Sequence, residues 1–259
     1  MSLENELAEE TAMSKLNASV AVVGAGDFIG GAIAKRFAAE GYRVHGGRRQ
    51  GDKLSALKGE IEAAGGAFTA HTLDARNEES VNAFLDAANA DAPLEVCVFN
   101  VGANVNFPIL DTTERVFRKV WEMACLGGFL TGREAARRML VHGRGSIFFT
   151  GATAGVRGGK GYAAFASAKF GLRAVAQSMA RELGPKNIHV AHLVIDAGVD
   201  TAFVRDRIAK ARGADALANL PKDVLMSPAS IGEAYIQLHR QSRDAWTHEL
   251  DLRPWMEHW

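Results

Sequence analysis

Charge of one sign, long apolar runs and cysteine are all scarce in this chain. Thirty Lys and Arg balance thirty Asp and Glu over 259 residues. No net field therefore draws the protein to nucleic acid or to an anionic membrane. No stretch approaches the ~20 apolar residues that a membrane helix requires. The first 17 residues, MSLENELAEETAMSKLN, are acidic and lack the apolar centre of an export signal. They read as a flexible leader, with Met13 as an equally good start. The two cysteines, Cys97 and Cys125, sit in apolar segments, which predicts reduced, packed thiols and a cytoplasmic protein. His45, His189 and His192 do not fall at a metal-ligand spacing, so no metal site is expected.

What is present is an alternation. Short apolar runs at 19–25, 42–47, 67–75, 94–103, 145–151 and 187–195 are separated by helical patterns, and WTHELDLRP closes the chain as an edge strand. Strands alternating with helices at this spacing predict right-handed βαβ units in a doubly wound parallel sheet of seven strands. With 47% hydrophobic residues and no linker, residues 18–259 are expected to form one α/β domain. Two long helices are expected over 112–142 and 162–184, and the mixed, polar region 200–230 reads as a mobile flap over a small-molecule substrate.

Two segments carry chemistry. SVAVV runs into GAGDFIGG, where Gly24 and Gly26 precede a helical pattern that begins at Ile29 and Gly30. A glycine turn between a first strand and a helix lets backbone approach a pyrophosphate, whose charge meets the helix amino end. After the second strand stands Gly46-Gly47-Arg48-Arg49, where an NAD-selecting protein carries an acid. Two guanidinium groups at that corner suit a 2′-phosphate, so NADP is preferred over NAD. Asp74, after the third strand, lies on the adenine side or caps the next helix. The second segment, Thr150 to Val175, is a strand end, a glycine-rich turn and a helix with Lys169 on an otherwise small, apolar face. A lysine there is costly unless paired, and cofactor ribose hydroxyls are suitable partners.

This order of parts resembles the short-chain dehydrogenase/reductase family over about Ala18 to Pro254, including FNVGA where the family has NNAG. The resemblance implies a Rossmann-like fold, an NAD or NADP cofactor, alcohol–carbonyl chemistry, and a homodimer or homotetramer built on the two long helices. It implies that Asn100 and Gly102 tie neighbouring strands beside the cofactor, that Lys169 holds the ribose, and that Thr201 contacts the nicotinamide amide. The family's tyrosine, serine and asparagine positions fall on Phe165, Ala152 and Ala124. A hydrocarbon ring donates no proton, and general acid help is worth ~10²–10⁴ in rate. Replacement candidates are Tyr162, three residues before Phe165 and placed on the same helical face, with Thr150 and Thr153 beside the vacant serine position. Arg157, Arg205 and Arg207 edge the cleft and suit an acidic substrate. Phe28 stands where the family turn has its middle glycine; in related dehalogenases an aromatic there fills the cofactor place. Three functions follow from the residues: a divergent oxidoreductase, a nucleotide-binding sensor or scaffold without catalysis, and a non-redox lyase with no cofactor.

Overall fold

The computed structural model describes residues 16–258. The expected leader therefore lies, up to residue 15, outside the described residues. The strands are β1 (Ser19–Val23), β2 (Arg43–Arg48), β3 (Ala67–Thr72), β4 (Leu94–Phe99), β5 (Gly145–Thr150), β6 (Ile188–Ile195) and β7 (Glu249–Leu252). All pair in parallel in the order β3-β2-β1-β4-β5-β6-β7. The order reverses between β1 and β4, which opens a crevice at their carboxyl ends.

The helices are α1 (Ile29–Ala38), α2 (Ser55–Ala63), α3 (Glu78–Asp91), α4 (Glu114–Trp121), α5 (Gly127–His142), α6 (Ala163–Leu183), α7 (Ala202–Arg212), α8 (Ala214–Ala218) and α9 (Pro228–His239). Side chains alternate across the sheet, as strand geometry demands. Val20 and Val22 enter one core with Ile33, Phe37 and Tyr235 from α1 and α9. Ala21 and Val23 enter the other with Leu85, Met139 and Leu172 from α3, α5 and α6. Both faces are covered, which explains why β4 has no polar side.

Two readings need correction. The helix expected over 112–142 starts at Glu114 and is interrupted by a π turn at Glu122–Leu126. That turn contains Ala124; hydrophobic periodicity does not register one extra residue in a turn, and π turns are frequent at functional sites. The mixed, polar region 200–230 contains α7 and α8. Thr201 starts α7 by accepting the Val204 N–H at 3.1 Å. Tyr162 does not sit on the helix above Phe165 but at its N-cap, where the backbone is still non-helical.

Candidate functional site

Two adjoining hollows occupy the crevice. One, of about 670 Å³, is lined by the glycine turn, the β5 end, the start of α6 and Thr201. The second, of about 480 Å³, is lined by Arg48, Arg49, Asp74 and Arg76. Gly24, Asn100, Val101 and Gly102 line both, so the two hollows share a wall across the switch between β1 and β4.

The glycine turn is held closely. Gly24 has φ +89°, and a Cβ there would come within 2.7 Å of the Asn100 carbonyl oxygen. A Cβ at Gly30 would run into the Gly24 carbonyl, whereas Gly26 has open space around it. Asn100 Nδ2 donates to the Gly24 carbonyl at 3.1 Å, and its backbone N–H donates to Val23 at 2.8 Å. Phe28 and Ile29 lie on the wall of the larger hollow; Phe28 is 40% exposed and leaves that hollow open.

At the second hollow the charges are unevenly spent. Arg48 donates to Asp27 at 2.9 Å, and Arg76 clasps the Asp74 carboxylate through side-chain hydrogen bonds at 2.9, 3.2 and 2.6 Å. The Arg76 hydrogen bonds hold the Asp74 carboxyl below its ordinary range. Arg49 makes no ion pair among the described residues, so it is the unspent cation of this corner. Asp74 is not the cap of α3; that role falls to Asn77, whose side chain accepts the Ser80 N–H at 2.7 Å.

Lys169 is 3% exposed at the floor of the larger hollow. Its ammonium donates to the Thr150 carbonyl at 2.7 Å and to the Val101 carbonyl at 3.2 Å. Burial pulls its pKa down to about 8. The buried Phe165 ring lies over it, with 6.0 Å between Nζ and the ring centroid. Ala152 stands bare beside it on the cavity wall, and Ala124 is fully buried behind, packed in one cluster with Phe165.

The hydroxyls near Ala152 and Phe165 divide. Thr150 shares a buried 2.6 Å hydrogen bond with Tyr235 and is thereby satisfied away from the cleft. Thr153 lines the cleft and donates at 2.6 Å to Asp196, a carboxylate 1% exposed at the end of β6. Arg157 also donates to Asp196, at 3.2 Å, and Arg253 stands 3.7 Å from its other oxygen. Two cations and a hydroxyl make that burial tolerable. The sequence reading passed over Asp196. Its signal was an acid directly ending an apolar strand at the sheet's ligand-binding edge. Tyr162 lines the cleft, and its phenol oxygen accepts from Arg207 at 3.1 Å. Arg205 pairs instead with Asp200. No cluster of residues that could hold a metal ion occurs among the described residues, and none of their helices is long and apolar enough to cross a membrane.

The comparisons agree with this architecture. A 3-oxoacyl-[acyl-carrier-protein] reductase MabA from Mycobacterium bovis is 31% identical over 188 residues, 72% of this chain and 71% of that protein. A crystal structure of a short-chain dehydrogenase from Rhodopseudomonas palustris is 61% identical, with a TM-score of 0.79, covering 93% of this chain and 100% of that one. An alcohol dehydrogenase from Thermococcus sibiricus, complexed with 5-hydroxy-NADP, is 25% identical, with a TM-score of 0.79 over 93% of this chain and 98% of that one. The family model described as short chain dehydrogenase matches residues 18–212, and the chain belongs to that family.

Proposed function

We propose that the protein is an NADP-preferring oxidoreductase that interconverts a small carbonyl compound and its alcohol by a divergent mechanism. The observation that carries this reading is Lys169. It is a buried ammonium held by two backbone carbonyls on the floor of a hollow that adjoins the Arg49 corner. A charge kept at that depth implies a polar partner arriving in the cleft.

The residues present fit the cofactor. The cradle at Gly24 and Gly30 is one that any side chain would fill. On this reading Gly24, Gly26, Ile29 and Gly30 underlie the pyrophosphate, Arg49 and Arg48 take the 2′-phosphate, and Asp74 borders the adenine. Asn100 and Gly102 form the shared wall, Lys169 holds the ribose, and Thr201 lies by the nicotinamide amide. When bound, the cofactor supplies or accepts a hydride. The proton comes from Tyr162 or from water. Geometry favours water standing on Lys169, because the Tyr162 phenol is engaged by Arg207 while Lys169 faces the hollow with a pKa suited to neutral pH. The relatives lend support, since one is called a reductase and another is complexed with an NADP derivative.

Fluorescence titration tests the reading. NADPH is expected to bind at least tenfold more tightly than NADH, and Arg49→Gln to remove about tenfold of that preference, as losing one charge-assisted hydrogen bond does. Binding of neither nucleotide overturns it and leaves the lyase. NADPH binding with no turnover on any carbonyl leaves the sensor or scaffold, the reading that the hydrocarbon at Phe165 favours. We further propose that the protein assembles as a homodimer or homotetramer through α4, α5 and α6. These helices expose Phe117, Trp121, Phe129 and Phe170 at about 40% each.

A further inference from the structure

We infer that the rim of the cleft holds a carboxylate subsite formed by the Arg207 guanidinium and the Tyr162 phenol. The substrate is then a small monocarboxylate whose reacting carbon is carried on an apolar spacer. This rests on the oxidoreductase reading only for the reacting carbon; the anion site stands on its own geometry.

Of the three arginines expected at the cleft, Arg157 lines it, Arg207 reaches its wall through Tyr162, and Arg205 is not part of the lining. Arg157 is spent on buried Asp196, with Glu257 at 3.9 Å. Arg205 is spent on Asp200 through hydrogen bonds of 2.5 and 2.8 Å. Arg207 makes no ion pair among the described residues; its partner is a neutral phenol at 3.1 Å. A phenol accepts that bond without cancelling the charge. Its own hydrogen is left free to donate, and most of the guanidinium donors are unused. One unbalanced charge beside two adjacent donor groups matches the single charge and two oxygens of a carboxylate. Tyr162 is part of the cavity wall, and Arg207 meets it from the exposed side, so the pair stands at the cavity mouth. Beneath the rim, Phe165, Ala152, Ala154, Ile195 and Ala197 form an apolar part of the wall, with Thr153 and Lys169 as polar groups further in. That wall sets the spacer, and a cavity of about 670 Å³ shared with a nicotinamide end keeps it short.

The test is calorimetric titration of the full chain with hexanoate, hexanamide and hexyl phosphate, with and without NADPH. Hexanoate is expected to bind at least tenfold more tightly than hexanamide and more tightly than hexyl phosphate. Arg207→Met should cost hexanoate at least tenfold and leave hexanamide unchanged, with Arg207→Lys recovering part of the loss. Tyr162→Phe should cost about threefold, and Arg205→Met less than twofold. Absent hexanoate binding, equal affinity for acid and amide, preference for the phosphate, or an indifferent Arg207→Met each overturns the subsite. Acid selectivity without NADPH binding leaves the subsite standing and removes the oxidoreductase. NADPH binding without acid selectivity does the reverse.

Discussion

Lys169 and Phe165 meet at the floor of the cleft, with 6.0 Å between Nζ and the ring centroid. The Lys169 ammonium loses its water on burial, and its pKa falls from 10.5 to about 8. Between those values the unfolded chain holds a proton that the folded chain has released, so stability rises with pH across that window. From pH 7 to 9.5 the gain expected of this one group is about 2 kcal/mol. Lys169→Met removes the titrating charge, so its urea-unfolding free energy is expected to lack that gain; an equal rise in the variant excludes it. Phe165 covers this ammonium, and its para position is where a phenol oxygen would be carried. Phe165→Tyr is therefore expected to raise turnover on a carbonyl panel by about 10²-fold, the lower end of general acid help. A flat response would mean that the cavity no longer presents the substrate to position 165. Tyr162→Phe is expected to raise KM and leave kcat within about twofold, as loss of uniform binding does.

At the scale of elements, α4, α5 and α6 position the cleft and present aromatic edges outward. Gly128 and Gly132 let α5 lie close on the sheet and on α6: a Cβ at Gly132 would meet Phe149 at 2.7 Å and Met179 at 2.8 Å. The outer faces carry Phe117, Trp121 and Phe170, too apolar to be left facing water together. Trp121→Glu with Phe170→Glu is expected to reduce the mass seen in light scattering to that of one chain. A wild type already at that mass ends the proposed assembly. These helices were legible as amphipathic patterns, but the π turn around Ala124 was not. Its extra residue changes which side chains face the cleft without changing the average period. Within the flap expected at 200–230, α7 was not legible as a helix because it buries none of its residues fully and so shows no apolar stripe.

The whole molecule has a charge balance that its histidines upset in acid. Burial lowers the pKa of His71, His189, His192 and His239, and that of His192 reaches about 4 despite its contact with Glu249. Below about 6.5 the unfolded chain takes up protons that these rings refuse, so stability falls as pH drops toward 4. The urea midpoint is expected to fall steadily between pH 7 and pH 4.5. A midpoint constant over that range would show these rings charging freely in the folded state.

The order of strands and helices, the glycine cradle and the arginine corner were all fixed by residue type and local period. Tertiary structure alone decided which polar groups remain free. Thr150 is tied to Tyr235, Thr153 to Asp196 and Arg76 to Asp74, whereas among the described residues Arg49 makes no ion pair and Arg207 meets a phenol. The Arg157–Asp196 and Tyr162–Arg207 pairs span 39 and 45 residues. Side-chain period carries information over a turn or a strand. Partners at such separations are chosen by how the sheet brings chain ends together, and a charge is unspent only when every neighbour in space has been counted.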